Sequence, residues 1–349
     1  MPLQPYEIDS SRMPLCLGSA LRVPSYAYSN WGIIGDEVWL REESDRQYEI
    51  EWKCGSQRQM QNVVRAITES GLGNYSQILR DENAELASRR VQELKGKLDY
   101  LELGAGISSV NFYEQMKKDG VDLERVYGTL IEPSEERLTK TSEKLEALGL
   151  TKGKNFRLVV ARDVDIPKYV CKRFFDIASY VAVFHHHAFI DTPLAHVYDS
   201  LKKNGLLIIA DWHNAMWEHP NRVYEFLKED FEWPTKSEDL EAFAKAYPKA
   251  LEKAPELSSL DASSNANIKK FWKSWAKIRG EDVAAGNFKP EDDIWMLEAH
   301  RPVERQNEAI QQVGYKLDTP GIRTLQEENP RGLVEGSGIL YVTLAEKTE

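Results

Sequence analysis

Residues able to do chemistry fall at the ends of short apolar runs in this chain. Glu102, Gly104 and Gly106 lie in "LDYLELGAGISS", where an apolar run breaks into a glycine turn before helix-forming residues. Glycines in a strand-to-helix turn let the backbone approach a ligand, and the helix N-terminus behind them favours negative or electron-rich groups. A dinucleotide fingerprint would place a third glycine at position 109, where this chain has Ser109, which counts against a nicotinamide dinucleotide. Glu132 ends the next apolar run, "GTLIE", where its carboxylate is able to accept both hydrogen bonds of a ribose diol. Asp163 follows a third run in "VVARDVD". Three successive apolar runs thus end in groups suited to a nucleoside-like ligand.

Histidines gather at the next two run ends. His185, His186 and His187 follow "FFDIASYVAVF", and Asp211, Trp212, His213 and Asn214 follow "LLIIA". Three readings compete. On a strand, His185 and His187 would point to one side and meet Asp211 or His213 in a metal site. An imidazole with a pKa near about 6.5 would instead serve as a general base or as a hydrogen-bond partner for a reacting molecule. The third reading makes them polar lining that shapes a pocket. We take His186 and His213 as the candidate catalytic residues and assign no metal.

The order of elements needed to hold these groups is legible. From Leu98 onward, strand-like runs alternate with helical ones that begin at serines and stop at Gly120, Gly149 and Gly314, the pattern of a doubly wound α/β sheet. "PLAHVYDSLKKNG" reads as a helix and "LLIIAD" as the fifth strand, with "YKLDT" and "GILYVTLAEK" as the last two. We divide the chain into an N-terminal extension (1–97), an α/β core (98–217), a strand-free helical insertion (218–295) and a C-terminal helix with two strands that complete the core (296–349). The extension and the insertion, with aromatics such as Tyr26, Trp31, Trp272 and Trp275, are expected to cover the site.

Composition narrows the partners. Lys and Arg total 45 against 56 Asp and Glu, a net charge of -11, which disfavours nucleic acid and moves small molecules forward. Cys16, Cys54 and Cys171 are widely spaced and suggest neither a disulfide framework nor a zinc site. With no apolar run of membrane-spanning length and no signal-like N-terminus, we expect a cytoplasmic protein without membrane partners. Self-association is left open.

In this order, "LELGAGIS", "IEPSEE", "ARD", "FDIASYVAVFHHH" and "GLLIIADW", closed by "HRPVERQNEAIQQVGYKLDT", resemble the class I, Rossmann-like S-adenosylmethionine-dependent methyltransferases over about residues 95–345. Ser108 replaces the third glycine of that family's commonest motif. The resemblance implies a seven-stranded sheet ending in an antiparallel strand, with S-adenosylmethionine as cofactor. By it, Glu102 would contact the amino-acid portion of the cofactor, Gly104 and Gly106 would line its methionine side, Glu132 would hold the ribose and Asp163 the adenine amine. The expected activity is methyl transfer to a small-molecule acceptor. Protein or RNA methylation, aminopropyl or aminocarboxypropyl transfer, and a non-catalytic cofactor-binding regulator stay open as alternatives.

Overall fold

In the computed structural model of the chain, residues 57–70, 75–187, 190–212, 303–317, 323–324 and 340–348 are described, with 270, 274, 277, 278 and 281 as isolated helical positions. In chain order the elements are α1 (Gln57–Ser70), α2 (Tyr75–Glu93), β1 (Leu98–Leu103), α3 (Ile107–Lys118), β2 (Val126–Glu132), α4 (Glu135–Ala147) and β3 (Phe156–Val160). There follow β4 (Phe175–Val181), α5 (Asp191–Ser200), β5 (Leu201–Trp212), α6 (Val303–Val313), β6 (Tyr315–Leu317), β7 (Arg323–Thr324) and β8 (Leu340–Lys347). The expected cover over residues 218–295 lies outside the described residues apart from those isolated positions, as do His213 and residues 1–56.

Apolar runs bounded by turns must bury both faces, and β1 does so between two parallel neighbours, β2 and β4. The sheet order is β3-β2-β1-β4-β5-β8-β6, with β8 antiparallel to both β5 and β6. This is the doubly wound seven-strand path with a terminal antiparallel strand that the sequence predicted. The two-residue β7 adds itself to β8 and carries too little apolar pattern to be seen in sequence.

Alternation along each strand sends side chains to two packed layers. Tyr100, Leu130, Ile177 and Ile208 pack with residues of α2, α3 and α4, whereas Leu101, Leu103, Ile131, Tyr180 and Ile209 pack with α5 and α6. Each such large apolar side chain contributes roughly 1.5–3 kcal/mol when fully buried. Tyr100 stacks on Phe112 of α3 with ring centroids 3.9 Å apart, which fixes α3 against β1. Two features of the sequence reading hold at atomic detail: the Ser134 hydroxyl caps α4 by accepting the Arg137 N–H at 3.3 Å, and Gly120, Gly149 and Gly314 stand past the ends of α3, α4 and α6 with positive φ.

Other boundaries differ. The helix expected to run to Gly205 stops at Ser200, and β5 begins at Leu201. Pairing of β4 with β5 jumps from Phe175↔Leu201 to Ile177↔Leu206, so the residues between form an irregularity with Asn204 at φ 60°. Helical periodicity cannot distinguish such a bulge from another helical turn. Cys171 is disulfide-bonded, a bond that the cysteine spacing does not predict. Among the described residues no helix is long and apolar enough to cross a membrane.

Candidate functional site

The glycine turn after β1 is tightly constrained. Gly104 has φ +73°, and a Cβ there would stand 2.2 Å from Val183 Cγ2 and 3.0 Å from Val183 Cβ, so only glycine fits. The Ala105 N–H donates to Ile131 O at 2.9 Å, tying the turn to β2. Gly106 opens α3 with no side-chain cap, and among the described residues a Cβ on it would meet nothing within 4 Å. The turn therefore leaves the α3 N-terminus uncovered by the described residues.

Two acids stand beneath this turn on the face of the sheet covered by α2, α3 and α4. Glu102 is fully buried and accepts hydrogen bonds from the Ser108 hydroxyl and, at 3.1 Å, from the Tyr100 hydroxyl. The Tyr100 oxygen also lies 2.5 Å from Ser179 Oγ. Burial pushes the Glu102 carboxyl up to about 7, against the pull of the Ser108 bond, and the Glu132 charge adds to the rise. Glu132, at the end of β2, accepts the Ser134 N–H at 3.0 Å on Oε1, and Arg137 Nη1 is 3.9 Å from the same oxygen. Burial pushes Glu132 to about 7 as well, opposed by Arg137. Its second oxygen makes no hydrogen bond among the described residues.

The histidines are arranged differently from a strand. β4 ends at Val181, and Ala182 takes φ +54°, a left-handed conformation that lifts the chain into a 3-10 turn over Phe184–His186. Alternation no longer applies, which corrects the expectation that His185 and His187 point to one side. His185 turns to β5: its backbone N–H donates to Asp211 Oδ2 at 2.9 Å, and its Nδ1 lies 2.7 Å from Asp211 Oδ1. His187 turns to the residues after β3, with Nε2 at 2.5 Å from Asp163 Oδ2, which also accepts the Tyr180 hydroxyl at 3.0 Å. Burial would raise Asp163, but the facing His187 and these hydrogen bonds outweigh it and hold the carboxyl below its ordinary value. His186 stacks obliquely on His185, with ring centroids 4.0 Å apart. Burial, reinforced by the neighbouring His185, His187 and Arg137 charges, lowers His186 well below the ordinary histidine value.

All five cofactor candidates from the sequence thus lie at or just after the C-terminal ends of β1, β2 and β3, and His186 lies beyond β4. His213 is outside the described residues. Among the described residues no three His, Cys, Asp or Glu side chains converge as metal ligands. Sequence reasoning chose His186 for catalysis and set His185 beside Asp211 only as a metal-ligand reading. The signal was present as Asp211 ending the adjacent strand, yet choosing among three consecutive histidines requires the turn.

No family model and no curated protein matches the chain. Solved structures of similar fold include the CurJ carbon methyltransferase, 12% identical over 88% of this chain and 68% of that one, with a TM-score of 0.46. Others are an S-adenosylmethionine-dependent methyltransferase from Mesorhizobium loti (13% identity, 74% and 96% coverage, TM-score 0.42) and one from Aquifex aeolicus (14% identity, 74% and 88% coverage, TM-score 0.38). Likeness at this level says nothing about activity.

Proposed function

We propose that the chain is an S-adenosylmethionine-dependent methyltransferase acting on a small-molecule acceptor. Glu132 carries this reading: a carboxylate buried at the end of β2, with one oxygen committed to Ser134 and the other without a hydrogen bond among the described residues, beside a glycine turn where a Cβ at Gly106 would meet none of them within 4 Å. That set fits a ribose held next to an approachable backbone. Glu132 accepts the ribose hydroxyls, Gly104 and Gly106 admit the methionine side, and Glu102 holds the amino-acid end through water. Asp163 keeps one lone-pair site for the adenine amine after accepting from His187, Tyr180 and the Val164 N–H. When bound, the cofactor supplies a sulfonium methyl group open to direct displacement by the acceptor's lone pair.

The chain's own part in catalysis is alignment and proton removal. Asp211 pairs with His185 Nδ1 at 2.7 Å, which fixes the ring's orientation for taking a proton from an acceptor whose nucleophile carries one. This Asp–His pair makes His185 the preferred base. His186, stacked on His185 with ring centroids 4.0 Å apart, is the second candidate. The net charge of -11 supports a small acceptor over a polyanion. Incubating the protein with labelled cofactor and a fractionated metabolite extract tests the proposal. Label should enter a small-molecule fraction, and label confined to protein or RNA would assign the acceptor to a macromolecule.

A further inference from the structure

Asp163 opens the 3-10 turn Asp163–Lys168 that follows β3, and groups from other elements converge on it. Tyr180 of β4, fully buried, donates its hydroxyl to Oδ2 at 3.0 Å. His187, which follows the histidine turn, brings Nε2 to 2.5 Å from the same oxygen. The imidazole is aimed by its surroundings: Nδ1 lies 3.3 Å from Phe184 O, and the ring meets Tyr180 edge-on with centroids 5.7 Å apart. The Val164 N–H bonds the carboxyl as well, and from α5 His196 reaches the Asp163 backbone.

A carbonyl and an ionised carboxylate only accept, so a ring held between Phe184 O and Asp163 gives a proton to each and carries a positive charge. The pair is poorly hydrated, with the His187 side chain 15% and the Asp163 side chain 10% exposed. A carboxyl so enclosed takes up a proton unless a cation or strong donors stand against it. Burial here would raise Asp163, and the His187 charge, followed by the His187 hydrogen bond, is the largest effect opposing it. The balance decides what the group recognises. An ionised carboxylate accepts from the 6-amino group of adenine and repels the 6-oxo group of hypoxanthine, whereas a protonated carboxyl donates to that oxygen.

We propose that His187 is a specificity-determining positioning residue: by pairing with Asp163 it fixes an acceptor-only group at the base end of the crevice, so that the site takes 6-aminopurine nucleosides and rejects 6-oxopurine ones. This role rests on the cofactor reading given above, in which Asp163 meets the adenine amine. It gives His187 a task separate from proton removal at the acceptor, although two residues divide it from His185.

Calorimetric titration with 5′-methylthioadenosine and 5′-methylthioinosine, which differ at the 6-position of the base, reads the preference. The wild type should bind the first roughly 10- to 100-fold more tightly, and His187→Ala should narrow the ratio to about threefold or reverse it. His187→Gln, which keeps a neutral donor, should fall between the two. NMR of the Asp163 carboxyl carbon without ligand, at neutral pH, should report an ionised group in the wild type and a protonated one in His187→Ala, a change that loosened packing alone does not produce. A preference kept at full size in His187→Ala, or an ionised Asp163 in that variant, overturns the proposal. Should His187→Ala fail to fold by thermal melting, His187→Gln decides: a reduced preference supports the role, and a ratio equal to the wild-type one overturns it. A wild type that binds both nucleosides equally also overturns the role of His187 but leaves the cofactor reading standing. Failure of the wild type to bind either nucleoside would remove the cofactor reading and this role together.

Discussion

The two faces of the central sheet treat their carboxylates in opposite ways. On the α2–α4 face, Glu102 and Glu132 are buried among neutral donors, with the Arg137 guanidinium 3.9 Å from Glu132, and burial raises both to about 7. On the α5–α6 face, Asp163 and Asp211 each meet an imidazole, at 2.5 Å and 2.7 Å. One face holds acids whose charge awaits compensation, which suits groups that gain partners from a ligand. The other holds acid–histidine pairs already assembled, which suits groups that must keep a fixed orientation through turnover.

The largest effect should come from breaking the assembled side. His185→Ala should lower kcat by roughly 10²- to 10⁴-fold for an acceptor that loses a proton, with cofactor affinity retained. Asp211→Asn should fall in the same range because the amide no longer fixes the orientation of the His185 ring, and single-turnover rates check both. A larger loss in His186→Ala than in His185→Ala would transfer the base role to His186.

Next in size is the joint between the two sides. Gly104→Ala combines a left-handed φ with a Cβ 2.2 Å from Val183, so it should cost on the order of 2–4 kcal/mol, read as a lower urea midpoint. An unchanged midpoint would mean that Val183 yields freely.

The pH dependence of the ligand-free protein should differ between the faces. Glu102 and Glu132 have folded values raised above the ordinary 4.5, so folding holds their protons and stability falls as pH rises from about 4.5 to about 7. Glu132→Gln should flatten this fall and raise stability at pH 8. Asp163 is lowered, so its contribution is present above its ordinary 3.8 and disappears as pH falls through the folded value. Urea midpoints across pH in wild type and Glu132→Gln measure the contrast, and parallel curves would contradict it.

The smallest effect sharpens the geometry of the histidine turn. Ala182→Gly relieves φ +54° and should raise stability by about 1 kcal/mol or less while loosening the turn that carries His185. Increased stability with a modest loss of kcat is the expected pairing.

Much of this arrangement was legible in the chain because the central strands β1, β2 and β4 are apolar runs buried along nearly their whole length. "LDYLEL" is β1 residue for residue, and Glu132 terminates β2 as read. What escaped was local geometry without periodicity. The Lys202–Gly205 irregularity resembles one more helical turn, the left-handed Ala182 has no glycine to announce it, and the roles of three adjacent histidines depend on the turn that it starts.

The central claim is that the second oxygen of Glu132 receives a ribose. Titrating S-adenosylhomocysteine into wild type and Glu132→Ala tests it most directly. The account predicts saturable wild-type binding that weakens by roughly 10- to 100-fold in the variant, as expected for losing hydrogen bonds to a charged acceptor. Equal affinity in the two proteins would contradict the ribose role, and tight NADH binding with none for S-adenosylhomocysteine would contradict the account as a whole.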